Sequence, residues 1–219
     1  TDNINYLIML YAFSLSFSGN IVRILAGLLI LVLLIDRKKF DIKCDKEIRY
    51  LYITSIVFIL FCSLSFLWSN ATIKDGFDYI RKFWYLLPIV TIYIYLKKDY
   101  YNKVLISFIC GMIISSILSF GNYYEWWTLA GGDKNNPAVF TYHTHYSVIL
   151  ATAIILVIIK ILYEKNQKQK LVYLLICILI FSNLLINVGR TGQISLLITL
   201  IGLTLFYFRY KLKHLFLLT

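Results

Sequence analysis

The chain has 219 residues, of which 60% are hydrophobic and only 15% charged, and its mean hydropathy is +0.75. Soluble domains are about half apolar and about a quarter charged, so a water-soluble globular domain and a disordered chain are both excluded. The net charge of +11 lies in clusters between apolar runs rather than on one soluble face. That pattern points away from nucleic acid and toward a polytopic membrane protein.

The apolar runs, in chain order, are residues 4–17, 21–35, 50–68, 83–96, 104–120, 142–159, 171–189 and 191–208. A span needs ~20 apolar residues. The expected fold is therefore all-α, a polytopic transmembrane helix bundle of about eight spans, forming a single membrane-embedded domain over 1–219. Helices are expected because every backbone amide must be satisfied within lipid. The runs do not alternate as barrel strands do. The chain starts at Thr1 rather than Met and runs to Thr219 directly after an apolar stretch. The expectation is an N-terminal part of a longer protein.

The basic residues divide unevenly between the two sides of such a bundle. Arg37, Lys38, Lys39, Lys43, Lys46, Arg49, Lys97, Lys98, Lys103, Lys160, Lys165, Lys168, Lys170, Arg209, Lys211 and Lys213 fall on one side, sixteen in all. Arg23, Lys74, Arg81, Lys82, Lys134 and Arg190 fall on the other. The positive-inside rule makes the larger set cytoplasmic, with the N-terminus inside. Trp68, Trp84, Trp126 and Trp127 then all lie on the outer side, as an interfacial belt would.

Cys44, Cys62, Cys110 and Cys177 form no CxxC pair, so neither a zinc site nor a redox motif is indicated. P-loop, dinucleotide, HExxH and GxSxG motifs are absent. Chemistry is sought instead among polar groups at the outer face, where an ionisable residue is costly. Asn183, Asn187 and Arg190 follow i, i+4, i+7 spacing and are expected to share one helical face. The Arg190 guanidinium is a rigid fork suited to phosphate oxygens. The plain alternative is an arginine that snorkels or caps a hairpin. Ile73, Phe77, Ile80 and Trp84 line one face of an expected amphipathic helix, with Arg81 and Lys82 at the mouth of the bundle. His143 and His145 enter the sixth run with several hydroxyls. Two histidines with no third ligand make a poor metal site, so no metal is assigned and His145 is expected to face the bundle interior.

The order of these segments carries a resemblance. Ser63-Leu-Ser-Phe-Leu-Trp68-Ser69 ends the third run, His145-Tyr-Ser147 opens the sixth, and Asn187-Val-Gly-Arg190-Thr191-Gly192 opens the eighth. Together they resemble the O-antigen ligase family within the ligase and polymerase superfamily of membrane proteins, over nearly the whole chain. The resemblance implies a glycosyltransferase of the bacterial inner membrane. It would move a glycan from undecaprenyl diphosphate onto lipid A-core in lipopolysaccharide biosynthesis, without a cofactor. It implies Arg190 as the catalytic arginine that binds the diphosphate, with Arg81 at a further basic position of the family; Lys82, Asn187 and His145, beside these in the sequence or on the same polar segments, are expected as further substrate-binding residues. The family's large outer loop, bearing a second arginine and a histidine base, is expected beyond residue 219. An O-antigen polymerase or a protein O-oligosaccharyltransferase would share Arg190 and differ in acceptor. A transporter for lipid-linked sugar would instead place charges and broken helices deep in the spans. Span interiors here are nearly free of charge, and a non-catalytic membrane subunit stays open beside these readings.

Overall fold

The computed structural model describes residues 2–17, 19–35, 46–68, 72, 74–76, 88–129, 132–140 and 142–216. The described residues are helical with no strand. The α-helices are α1 (Asp2–Ser14), α2 (Gly19–Ile35), α3 (Lys46–Leu64), α4 (Pro88–Tyr95), α5 (Tyr101–Tyr123), α6 (His143–Tyr163), α7 (Gln167–Ile186) and α8 (Arg190–Phe216). Each overlaps one apolar run of the sequence. The break after α1 holds Ser16, the one after α6 Asn166 and the one after α7 Asn187 and Gly189, residues that offer the backbone alternatives to helix. Among the described residues three helices are long and apolar enough to cross a membrane: Lys98–Tyr123, His143–Tyr163 and Gln167–Ile186. That is fewer than the eight expected: α1, with 13 residues, is short of the ~20 a bilayer requires, and residues 83–87 of the fourth run lie outside the described residues. Gly19–Ile35, Tyr52–Leu64 and Arg190–Leu205 are shorter apolar helices.

The chain divides into two compact units. The first comprises Thr1–Ala12 and Asn20–Leu105, the second Phe13–Gly19 and Ile106–Thr219. In the first, α2 buries Val22, Leu25, Ala26, Leu29 and Leu33, a stripe at helical spacing. Thr91 of α4 donates its hydroxyl to the Leu29 carbonyl at 3.0 Å, which satisfies a buried hydroxyl between two apolar helices. The start of α1 is tied to the end of α4. Asn5 Oδ1 accepts from the Lys97 backbone N–H at 3.1 Å, and Lys97 Nζ lies 2.7 Å from Asp2 Oδ1. The hydrogen bond and charge of Lys97 hold the Asp2 carboxyl below its usual range. Both groups are largely exposed, so this pair fixes geometry more than it stabilises.

In the second unit α6 is the central helix. It packs along both α7 and α8, which touch each other only slightly. The α6–α7 hairpin turns within three residues. Asn166 caps α7 by accepting from the Lys168 N–H at 3.0 Å, while Glu164 Oε1 takes the N–H groups of Lys165 and Asn166. After α5 the chain folds back on itself. Asn122 Oδ1 accepts from Leu129 N at 2.9 Å, its Nδ2 donates to Leu129 O, and Trp127 Nε1 donates to Leu118 O at 3.1 Å. Trp68 and Trp126 are well exposed and Trp127 less so, while Trp84 lies outside the described residues.

A polar network lies wholly inside this unit. Tyr146 of α6 is fully buried. Its hydroxyl accepts from Asn183 Nδ2 of α7 at 2.9 Å and donates to Ser115 Oγ of α5 at 3.3 Å. Ser119 of α5 donates to Asn183 Oδ1 at 2.9 Å. Three helices are thus joined by side chains that have no water to turn to. In lipid, where apolar packing alone does not favour one helix pairing over another, such bonds set register and rotation.

Candidate functional site

The α7–α8 junction is built from residues that end one helix and start the next. Helix α7 stops at Ile186, and Asn187 takes an extended conformation with φ −77° and ψ 134°. Asparagine favours leaving a helix because its side chain competes for nearby backbone groups. Here Asn187 Oδ1 accepts from the Gly189 N–H at 3.0 Å. Arg190 N donates to Val188 O at 2.9 Å, and α8 begins at Arg190. Asn183, Asn187 and Arg190 therefore do not share one helical face as their spacing suggested. The helix ends before the third of them, and Arg190 belongs to the next element.

The first turn of α8 is fastened to both neighbours. The Gly192 N–H points at Ser147 Oγ of α6 at 3.2 Å and also reaches Gly189 O. Ser147 Oγ lies 3.2 Å from Thr191 Oγ1 and donates to Thr144 O at 2.9 Å. Gln193 Nε2 donates to Leu184 O at 3.2 Å, taking one of the carbonyls left open in the last turn of α7. The two glycines allow this approach. A Cβ on Gly189 would strike the His143 carbonyl and the Ser147 hydroxyl, and one on Gly192 would strike the Ser147 backbone. The glycine-arginine-threonine-glycine sequence is thus a close-packed helix crossing as well as a carrier of Arg190.

Arg190 itself is exposed, and its guanidinium has no ion pair or hydrogen bond with another described residue. It is the first residue of α8. A guanidinium held by a rigid backbone, with its fork open, is suited to phosphate oxygens.

The other expected site residues fall differently. Asn187 is 3% exposed and its Nδ2 is buried without a partner among the described residues. Its Oδ1 shapes the turn through Gly189. His145 is exposed rather than turned inward. On α6 it is Tyr146 and Ser147 that face the interior, and His145, turned about 100° from Tyr146 and about 200° from Ser147, falls off that face. Arg81 and Lys82 lie outside the described residues, as does most of the expected amphipathic helix. Its opening turn is described: Thr72 Oγ1 accepts from Asp75 N at 3.2 Å and donates to Asp75 Oδ2 at 2.6 Å, the cap of a starting helix. Among the described residues no group of three His, Cys, Asp or Glu could hold a metal ion.

Ser147, Thr191, Tyr146, Ser115 and Ser119 acquire roles that spacing did not reveal. The available signal was hydroxyls recurring within apolar runs at three- and four-residue intervals, as at Ser115 and Ser119, which marks a helix–helix interface. Comparison of the chain with protein-family models, with curated proteins and with solved structures gives no match.

Proposed function

We propose that this protein is a multi-pass membrane glycosyltransferase of the O-antigen ligase type, acting on a glycan linked to undecaprenyl diphosphate. The observation that carries the reading is Arg190, exposed and unpaired among the described residues at the first position of α8, on a turn fastened to α6 and α7. In the reaction an acceptor hydroxyl of lipid A-core attacks the anomeric carbon of the donor sugar, the bond from that carbon to the diphosphate oxygen breaks, and the hydroxyl proton is lost to solvent or to the departing diphosphate. Negative charge gathers on the leaving diphosphate. A fixed guanidinium aimed there stabilises the transition state more than the ground state, and low dielectric strengthens the effect. Arg81 and Lys82 are proposed to add positive charge for the same lipid.

The proposed topology has eight spans in the bacterial inner membrane, with the N-terminus and the larger basic set in the cytoplasm. This topology puts Arg190 at the outer face, where lipid-linked glycans are consumed. With the other cysteines replaced, Cys44 is expected to react with a membrane-impermeant thiol reagent only after the cytoplasmic side is opened. Labelling of Cys44 in intact spheroplasts would reverse the orientation.

The activity is tested with the intact protein in liposomes, given undecaprenyl-diphosphate-linked glycan and lipid A-core. The expected product is lipid A-core bearing the glycan. Longer undecaprenyl-linked chains instead would identify a polymerase. Recovery of both substrates unchanged, from protein shown to be folded, would remove the glycosyltransferase reading.

A further inference from the structure

We propose that Ser147 is a positioning residue: a hydroxyl from α6 that caps the first turn of α8 and thereby orients Arg190. The inference rests on the reading of Arg190 as the diphosphate ligand and adds the residue that makes its fork effective. A helix normally satisfies its first-turn N–H groups with a Ser, Thr, Asp or Asn side chain just before it. Here that place belongs to Gly189, which has no side chain to offer, and an Ala or Ser Cβ there would strike His143 O and Ser147 Oγ. The cap comes instead from another helix, 45 residues earlier in the chain, through the 3.2 Å contact of Ser147 Oγ with Gly192 N.

The same oxygen is fixed from its own side. It donates to Thr144 O at 2.9 Å and sits 3.2 Å from Thr191 Oγ1, so the hydroxyl hydrogen is committed and a lone pair is left for Gly192. Ser147 is fully buried, whereas Arg190 is exposed. Ser147 therefore cannot meet a ligand and acts only through the backbone that carries Arg190. That backbone is pinned on one side by Asn187 Oδ1 at Gly189 and on the other by Ser147 at Gly192. Arg190 lies between the two pins, one residue from the first and two from the second. A bidentate grip needs a guanidinium plane held within narrow limits, and small displacements of such groups cost disproportionately.

The test is binding of undecaprenyl diphosphate to the intact protein in nanodiscs, for the native protein, Ser147→Ala, Arg190→Ala and the double variant. Ser147→Ala leaves Gly192 N with only its 3.2 Å contact to Gly189 O and is expected to weaken binding about tenfold. In the Arg190→Ala background the same change is expected to cost nothing further, because there is no longer a fork to orient. An equal loss in both backgrounds would make Ser147 a general helix clamp and overturn the proposal. So would native binding by Ser147→Ala when Arg190→Ala has lost it. Native binding by Arg190→Ala would instead remove the diphosphate reading, and this assignment with it. Ser147→Cys keeps a weak donor and acceptor in nearly the same volume. It carries the comparison if the alanine variant does not fold, with a severalfold loss expected and absence of loss counting against the proposal.

Discussion

Replacing Arg190 with alanine is expected to reduce glycan transfer by ten- to hundredfold or more, with little change in the amount of protein in the membrane. The size follows from the contact. A hydrogen bond to a charged group contributes roughly 1.5–3 kcal/mol, and in the transition state that is about one to two powers of ten in rate. Stability is expected to hold because Arg190 is exposed and its guanidinium bonds to no other described residue. Its backbone N–H, which donates to Val188 O, is present in every variant. Arg190→Lys is expected to fail as well, since an ammonium keeps the charge but is a point donor without the fork. The measurement is transfer activity of the intact protein, normalised to its level by immunoblot. Full activity of Arg190→Ala at normal level would return this residue to the role of an interfacial arginine. Activity with lysine but not alanine would reduce the requirement to positive charge.

Gly192→Ala is expected to be the most destabilising single methyl addition among the described glycines at this junction. The new Cβ would collide with the carbonyl and backbone of Ser147, and neither can rotate away as a flexible side chain could. Helix α8 would have to move off α6, separating Gly192 N from Ser147 Oγ and breaking the cap. Overpacking of this kind costs about 1–3 kcal/mol before any lost hydrogen bond is counted. Gly202, further along the same helix, provides the control. A Cβ there meets nothing within 4 Å, and alanine is the better helix former. Thermal unfolding of the detergent-solubilised intact protein should therefore fall clearly for Gly192→Ala and stay level for Gly202→Ala. Equal melting of the two variants would mean that α6 and α8 do not cross as described.

The two results are linked through a short stretch of chain. Residues 187–193 hold a turn that is unusually dependent on its neighbours: Asn187 serves Gly189, Ser147 serves Gly192, and Gln193 serves Leu184. Behind it, Asn183 is locked to Tyr146 and Ser119. The junction has an exposed cation on a backbone with little freedom, which is the arrangement that gains most from pre-organisation. Loss of a methyl-sized gap and loss of the guanidinium are expected to damage the site in different ways, the first through stability and the second through chemistry alone.

The helical character of the described residues, and the stretch of chain in which each helix lies, could be read in the sequence. Those properties depend on near neighbours along the chain: apolar runs that must satisfy their own amides in lipid, and Asn187 or Ser18-Gly19-Asn20 where the runs break. Arg190 was legible too, as an isolated cation between two long apolar stretches. What the tertiary structure decided is which way each polar residue turns and whom it meets. His145 points outward while Tyr146 and Ser147 point inward, and Asn183 finds partners 37 and 64 residues away. In an almost uniformly apolar helix no polar stripe announces the buried side, so helix rotation is set by contacts with other helices. For the same reason Gly192 read only as part of a motif beside Arg190, until the Ser147 backbone was found lying where its side chain would have been.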